Sequence, residues 1–199
     1  MVTLVLARHG ETDWNRDHRW QGFTGPPLNE EGRRQAAELA ARLEGVDAIY
    51  SSDSDRARET AEIAAALLGL ALRIDVRLRE VNFGEWEGLT RQEIDQRFAG
   101  AFTRWEAGER PNPAGVEADE AMAERVLEAL GEIAERHPNG RVLVVTSGGP
   151  IRAAEAQLRG IEQTHARRAI PTVENGALVE LAIRDGRFER TDSDRSVQS

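Results

Sequence analysis

The chain alternates short apolar runs with segments in which apolar residues recur at helical spacing. The run Val2–Ala7 predicts a short buried strand. Apolar residues then recur at i, i+3, i+4 and i+7 from Ala36 to Leu43, in a helix whose N-cap we place at Asn29. A second strand over Val46–Tyr50 and a second helix that ends at Gly69 follow. The first part of the chain therefore predicts the order strand, helix, strand, helix.

The middle of the chain combines one further strand with an irregular stretch. Leu72–Leu78 alternates apolar and charged residues, which predicts a half-exposed strand. Gly100–Ala118 contains two prolines, and we expect an irregular excursion that covers another part of the fold. A helix over Met122–Ile133 and a buried strand over Val142–Val145 then resume the alternation of helices and strands.

The C-terminal part predicts a helix that begins near Pro150 and a last alternating strand over Val179–Ile183, followed by the hairpin turn signal Asp185-Gly186. Strands that alternate with helices predict an α/β fold, a three-layer sandwich with a mostly parallel central sheet and helices on both faces. We expect one domain over residues 1–190 and a polar, disordered tail over residues 191–199.

Composition and charge narrow the possible partners. With 199 residues the chain is long enough to bury one large core. Its net charge of −9 disfavours nucleic acid and anionic membranes, which need a basic footprint. The absence of cysteine excludes thiolate zinc sites and cysteine nucleophiles, and four scattered histidines give no metal-binding pattern. The start lacks a signal-peptide pattern and no apolar run is long enough to span a membrane, so we expect a cytoplasmic protein.

Cations and hydroxyl groups collect where the predicted strands end. The first strand runs into Arg8 and His9, and the second is followed by serines and Arg56. In open α/β sheets ligands bind beyond the carboxyl ends of the strands, so we expect these side chains to meet. A histidine after a strand is most often structural. Guanidinium groups beside it favour a phosphate ligand, because one arginine can donate two parallel hydrogen bonds to phosphate oxygens.

The segments that carry these residues are similar to the motifs of a known family. Leu6–Thr12 with Trp14-Asn15 resembles the signature of the histidine phosphatase, or phosphoglycerate mutase-like, superfamily. The resemblance continues in order to about Arg152, with Asn175-Gly176 also fitting, through Arg19, Gln21-Gly22, Pro27–Gly32, Ser51–Ala61 and Leu78–Gly88. It implies the phosphoglycerate mutase-like fold and an enzyme that works without a cofactor.

The resemblance assigns catalytic roles residue by residue. His9 corresponds to the histidine that attacks phosphorus and becomes a transient phosphohistidine, and Arg8 and Arg56 correspond to the arginines that hold the phosphoryl oxygens. Glu80 falls where the family places the general acid that protonates the leaving alcohol and then activates water. Without the resemblance, a salt bridge from Glu80 to an arginine of the pocket would be the favoured interpretation.

Further residues at the matching positions are expected to bind phosphate or substrate. They are Asn15, Arg19, Gln21, Gly22 and Gly148. Val116 and Ala118 depart from the Gly-Gly-Glu-Ser sequence that many members have there, so the corresponding rim of the pocket differs from theirs.

Ser147 is the main departure from the family. It stands where members carry a second catalytic histidine, which donates to the phosphoryl group. A serine can donate one neutral hydrogen bond, and the loss of one such donor elsewhere costs roughly 10²–10³ in rate. We therefore expect a weakened or retuned catalyst, and His18 and His165 are open candidates to compensate.

Three functions follow from these observations. The leading hypothesis is a phosphomonoester hydrolase that acts through phospho-His9 on a small phosphorylated metabolite, with inorganic phosphate as the other ligand. The alternatives are a phosphoglycerate mutase, and a phospho-ligand-binding pseudoenzyme that Ser147 motivates. The excursion after Gly100 is short compared with the insertion of true mutases, which favours a phosphatase. A homodimer is possible, and neither a metal nor a cofactor is expected.

Overall fold

A six-stranded sheet forms the centre of the computed structural model, which describes residues 1–107 and 115–191. The strands are β1 (Val2–Arg8), β2 (Ala48–Ser51), β3 (Leu72–Ile74), β4 (Arg141–Thr146), β5 (Leu178–Arg184) and β6 (Arg187–Glu189). Their order in the sheet is β3-β2-β4-β1-β5-β6. The first four are parallel, whereas β5 is antiparallel to β1 and β6 is antiparallel to β5. The predicted mostly parallel sheet and the C-terminal hairpin are confirmed.

Helices cover both faces of this sheet. They are α1 (Asp13–Arg16), α2 (Glu30–Ala41), α3 (Asp55–Leu68), α4 (Arg91–Arg97), α5 (Ala101–Glu106), α6 (Asp119–Arg136), α7 (Gly148–Arg159) and α8 (Gln163–Ala169). Val5 and Val145 pack in one core with α2 and α3, while their neighbours Leu4 and Val144 pack in a second core with α6 and α7. Because successive residues of a strand point to opposite faces, this division confirms the three-layer sandwich. Among the described residues, no helix has the length and apolar character needed to cross a membrane.

Two predicted elements differ from the structure. The strand expected over 72–78 ends at Ile74, and Val76–Leu78 forms a 3-10 helix instead. The Asp75 carboxylate accepts a hydrogen bond from the backbone N–H of Arg77, 2.9 Å away, and this local bond turns the chain out of the sheet. Alternation of apolar and polar residues could not reveal that competing bond.

The excursion predicted over 100–118 is also only partly irregular. Residues 101–106 form α5, which buries Phe102 against the core, and residues 108–114 lie outside the described part of the chain. Thr191, the first residue of the predicted tail, is buried, and residues 192–199 are likewise outside the described part.

The carboxyl ends of β1, β2 and β4 meet at one edge of the sheet. The strands β2 and β4 are neighbours, as are β4 and β1. The backbone N–H of His9 donates to the carbonyl of Thr146 at 3.0 Å, which joins the residue after β1 to the last residue of β4. Parallel pairing therefore brings together the segments that carry Arg8, Arg56 and Ser147, as the ligand-binding rule for such sheets predicts.

Candidate active site

A cavity of about 400 Å³ lies beyond the carboxyl end of β1. Eight of the ten residues that the sequence predicts for the site line it, namely Arg8, His9, Asn15, Arg19, Gln21, Arg56, Glu80 and Gly148. Gly22 and Ser147 are not part of the lining. The volume is at the small end of the range for ligand pockets, so it suits a small molecule.

His9 is buried in this cavity and is held in one orientation. Its Nδ1 lies 2.7 Å from the carbonyl oxygen of Gly10. Because a carbonyl can only accept, Nδ1 carries the proton and Nε2 keeps a lone pair. Burial, with further contributions from Arg56 and Arg8, lowers the pKa of His9 well below its ordinary value. His9 is therefore a neutral imidazole with Nε2 available as a nucleophile.

Two arginines, Arg56 buried and Arg8 half-buried, flank this imidazole. Arg56 donates from Nε to His9 Nε2 at 3.1 Å and from Nη2 to the carbonyl of Gly22 at 2.7 Å. Arg8 donates from Nη1 to the carbonyl of Val173 at 2.6 Å, and its buried Nε has no hydrogen-bond partner among the described residues. Burial is the main cause that lowers the pKa of each guanidinium. Neither arginine has a carboxylate partner in the described chain, so both charges remain available to an anion.

Glu80 approaches the start of α7 very closely. Its Oε2 accepts from the backbone N–H of Gly149 at 2.9 Å, and its Oε1 accepts from that of Val81 at 2.8 Å. A Cβ atom on residue 149 would lie 2.0 Å from Glu80 Oε1, so a side chain at this position would displace the Glu80 carboxylate. Among the described residues Glu80 has no ion pair with an arginine, and backbone N–H groups fix its carboxyl group at the cavity wall.

Arg125 of α6 was not identified from the sequence, although it fixes the segment that carries Glu80. Its guanidinium donates to the carbonyls of Arg77, Arg79 and Glu80 at 2.7, 2.7 and 2.8 Å. It also forms a two-point ion pair with Glu117, whose carboxylate accepts from the backbone N–H of Asn82. A long-range link between a helix and a loop leaves no periodic signal in the sequence.

Asn15 and Gln21 line the cavity with their amide oxygens already occupied. Asn15 Oδ1 accepts from the backbone N–H of Thr12 at 3.1 Å and from Asn175 Nδ2 at 3.2 Å. Gln21 Oε1 accepts from the Thr12 hydroxyl at 2.9 Å. The amide nitrogens of both residues make no hydrogen bond to another described residue. Each amide can therefore offer N–H donors to an anionic ligand.

Arg19 and Gly22 make contacts that hold other parts of the site in place. Arg19 lines the cavity, but its Nη1 donates to the carbonyl of Gly88 at 2.6 Å and pairs with Glu93 at 2.8 Å. Gly22 supplies the carbonyl that holds Arg56, and a Cβ there would lie 2.1 Å from Glu87 Oε1. The structure thus places Gly22 behind Arg56 rather than at the cavity surface.

Ser147 lies directly before α7 and is buried. Its Oγ has no hydrogen-bond partner among the described residues, and it does not cap the helix. His18, one of the two histidines that could compensate, lines the cavity, whereas His165 is exposed beside Glu162 and does not. No group of His, Asp and Glu side chains in the described ranges has a metal-binding arrangement.

Comparison with known proteins identifies the family. The sequence profile of the histidine phosphatase superfamily (branch 1) matches residues 4–193. The chain is 36% identical over 167 residues to phosphoserine phosphatase 1 of Hydrogenobacter thermophilus, covering 81% of this chain and 78% of that protein. It is 36% identical over 166 residues to glucosyl-3-phosphoglycerate phosphatase of Mycobacterium tuberculosis, covering 78% and 74%.

Solved structures agree with this assignment. The structure of YhfR from Bacillus stearothermophilus superposes with a TM-score of 0.86 at 36% identity, over 94% of each chain. The protein is therefore an enzyme that belongs to the histidine phosphatase superfamily.

Proposed function

We propose that this protein hydrolyses a small phosphomonoester through a transient phosphohistidine on His9. The observation that carries the proposal is the state of His9, a buried neutral imidazole whose Nδ1–H is bound by the Gly10 carbonyl and whose Nε2 lies beside two arginines without carboxylate partners in the described chain. A nitrogen lone pair beside unpaired cations is suited to attack the phosphorus of a dianionic ester.

The first step forms a bond between His9 Nε2 and phosphorus and breaks the bond between phosphorus and the ester oxygen. Arg56 Nε must then donate to a phosphoryl oxygen instead of to Nε2, a change of acceptor within one small group. Arg8 Nε, which has no partner among the described residues, is available to a second oxygen. Both guanidiniums are held by backbone carbonyls before substrate arrives, so little reorganisation is needed in the transition state.

Glu80 supplies and recovers the proton. In its protonated form it gives the proton to the leaving alkoxide, which departs as an alcohol. Water then attacks phosphorus and loses a proton to the Glu80 carboxylate, while the bond to Nε2 breaks and His9 returns to the neutral form. The two backbone N–H groups that bind Glu80 keep its carboxyl group in place for both steps.

The substrate is proposed to be a small phosphorylated metabolite. The cavity of about 400 Å³ supports this size, and the relatives named above are phosphatases of phosphoserine and glucosyl-3-phosphoglycerate. The cytoplasmic location and the homodimer stay predictions of the sequence.

Phosphate release from a panel of phosphorylated metabolites tests this function. The wild-type protein should release phosphate, and His9→Ala should abolish release above the uncatalysed background. His165→Ala is the matched control, because His165 is an exposed histidine beside Glu162 that lies outside the cavity lining, so its removal should leave phosphate release unchanged. Release that survives in His9→Ala would contradict the proposal, and formation of an isomeric phosphate ester instead of free phosphate would indicate a mutase.

A further inference from the structure

Glu87 is a half-buried carboxylate outside the cavity lining that has no cation partner in the described part of the chain. It accepts four hydrogen bonds from neutral donors instead. Its Oε1 accepts from the backbone N–H groups of Phe23 at 2.8 Å and Phe83 at 3.2 Å. Its Oε2 accepts from the backbone N–H of Thr24 at 2.9 Å and from the Thr24 hydroxyl. Both carboxylate oxygens are therefore used to fix the backbone around residues 23 and 24.

The loop that Glu87 fixes is the loop that holds Arg56. Arg56 donates from Nη2 to the carbonyl of Gly22 at 2.7 Å and from Nη1 to the carbonyl of Thr24 at 3.2 Å. The Gly22 carbonyl and the Phe23 N–H belong to the same peptide group. One peptide group thus lies between the Glu87 carboxylate and the Arg56 guanidinium, with its N–H toward the negative charge and its oxygen toward the positive one. Hydrogen bonds in such a chain polarise and strengthen one another.

Gly22 makes this close approach possible. A Cβ atom on residue 22 would lie 2.1 Å from Glu87 Oε1, 2.7 Å from the backbone oxygen of Val81 and 2.8 Å from the backbone nitrogen of Phe83. Two of these three atoms belong to the backbone and cannot turn aside as a side chain can. A residue larger than glycine would therefore push the peptide group away from Glu87, and with it the carbonyl that binds Arg56.

This arrangement balances the charge of Arg56 without occupying its donors. Burial lowers the pKa of Arg56, and the charges of Glu80 and Glu87 are the largest that oppose this effect. Glu80 is neutral when it acts as the general acid, whereas Glu87 takes no part in the proposed proton transfers. A carboxylate in direct contact with Arg56 would compete with the phosphoryl group. Because Glu87 acts from one peptide group away, one N–H on each terminal nitrogen of Arg56 stays unbound by the described residues.

We propose that Glu87 is a positioning residue, which holds the Arg56 guanidinium toward the phosphoryl group through the peptide group of Gly22 and Phe23. The assignment rests on the proposed function, because it requires Arg56 to bind the phosphoryl group. It extends that function to a carboxylate that contacts neither His9 nor the cavity. Since the phosphoryl group is common to all substrates, the effect of Glu87 should not depend on the leaving group.

Binding of inorganic phosphate measures this role without catalysis. Glu87→Gln keeps the shape of the side chain but removes the charge and one of the two acceptor oxygens. The dissociation constant of phosphate, measured by calorimetry, should rise on the order of 10-fold, the contribution of one hydrogen bond to a charged group. Arg56→Lys supplies the second arm, because an ammonium cannot reproduce the planar contacts to both carbonyls. In that background Glu87→Gln should change the dissociation constant by less than about twofold.

Kinetics with two substrates separate Glu87 from the residues that position Glu80. Glu87→Gln should lower kcat/KM for phosphoserine and for p-nitrophenyl phosphate by the same factor, on the order of 10-fold, because Arg56 donates to phosphoryl oxygens and not to the leaving oxygen. A loss confined to phosphoserine would mean that Glu87 acts through Glu80, and it would contradict the assignment.

Glu59→Gln is the matched control. Glu59 lies on α3, as Arg56 does, and its carboxylate also binds a backbone N–H, that of Leu28 at 3.0 Å. It pairs with Arg33 and is outside the cavity lining. Its replacement removes a carboxylate with comparable backbone contacts, so stability can fall, but phosphate binding and both values of kcat/KM should be unchanged.

Unchanged phosphate binding in Glu87→Gln would overturn the assignment, as would a loss of equal size in the Arg56→Lys background, which indicates a purely structural role. If Glu87→Gln does not fold, Thr24→Val replaces it, since this exposed position supplies one of the four donors to Glu87. It should weaken phosphate binding about threefold, and only while Arg56 is present; any other result would contradict the assignment. Failure of the hydrolase proposal has a different signature, because wild-type protein would bind phosphate but release none from any ester.

Discussion

Replacing Arg125 by lysine should slow the hydrolysis of alkyl phosphates much more than that of aryl phosphates. The Arg125 guanidinium donates to three backbone carbonyls of the segment 77–80, the last of which belongs to Glu80, and it pairs with the Glu117 carboxylate at 2.7 Å. A lysine ammonium is a compact donor that cannot reproduce this planar set of contacts. The segment that carries Glu80 would therefore shift, while the charge at this place is kept.

The size of the effect follows from the role of Glu80. General acid catalysis contributes typically 10²–10⁴ in rate, and a misplacement of about 1 Å can cost 10²-fold. We expect kcat/KM for an alkyl phosphate to fall about 10²-fold. An aryl phosphate has a leaving group that needs no proton, so its kcat/KM should change by less than about threefold. The side chains of Arg125 and Glu117 are 19% and 18% exposed, and weakening their pair should also lower the free energy of unfolding by about 2–3 kcal/mol.

The assay compares kcat/KM for phosphoserine and p-nitrophenyl phosphate, because this constant reports the steps up to transfer of the phosphoryl group to His9. Arg77→Lys is the matched control, since Arg77 also joins this segment to α6, through Glu132 at 2.9 Å, but does not bind the Glu80 backbone. It should lower stability without changing the ratio of the two substrates. Equal losses for alkyl and aryl substrates in Arg125→Lys would refute the argument that Arg125 positions Glu80.

Three further predictions concern the phosphoryl pocket. The folded-state pKa of His9 lies well below its unfolded value of about 6.5, so the stability that neutral His9 contributes is complete above pH 6.5 and falls as the pH drops below it. The difference in unfolding free energy between wild type and His9→Ala should therefore shrink on acidification, and a constant difference would contradict a neutral His9. Ser147→Ala should leave the free energy of unfolding unchanged or raise it by about 1 kcal/mol, because the hydroxyl has no described partner, and it should lower kcat if the Ser147 hydroxyl donates to the phosphoryl group. Ser147→His should raise kcat, and an unchanged or lower rate would mean that the pocket is adapted to serine. Asn15→Asp preserves the acceptor for Thr12 but adds a negative charge, so KM should rise at least tenfold while the thermal midpoint stays within about 2 °C; an unchanged KM would remove Asn15 from the phosphate contacts.

The sequence predicts the layers of this fold well because they depend on local periodicity. The strands around Val5 and Val144 are continuous apolar runs, as expected for strands buried on both faces, and their packing is confirmed. The strand expected through Leu78 was wrong because a side-chain bond from Asp75 competes with pairing, and such bonds do not alter the alternation of residue types.

The site could be predicted only where residues adjoin strand ends or a family motif. His9 and Arg56 satisfy both conditions, and the structure brings them within 3.1 Å. Arg125 lies within a helical pattern, where an arginine is ordinarily read as a solvated charge. Its burial and partners depend on how α6 packs against distant loops, which only the tertiary structure provides.

The most direct test of the central claim is to trap the covalent intermediate. Wild-type protein is mixed with a phosphorylated substrate, quenched in alkali and examined by mass spectrometry for a phosphoryl group on the peptide that contains His9. The account predicts an acid-labile, alkali-stable phosphorylation of His9 that appears within the first turnover and is absent from His9→Ala. Phosphate release by the wild type with no phosphoryl group on His9, or with the label on another residue, would contradict it.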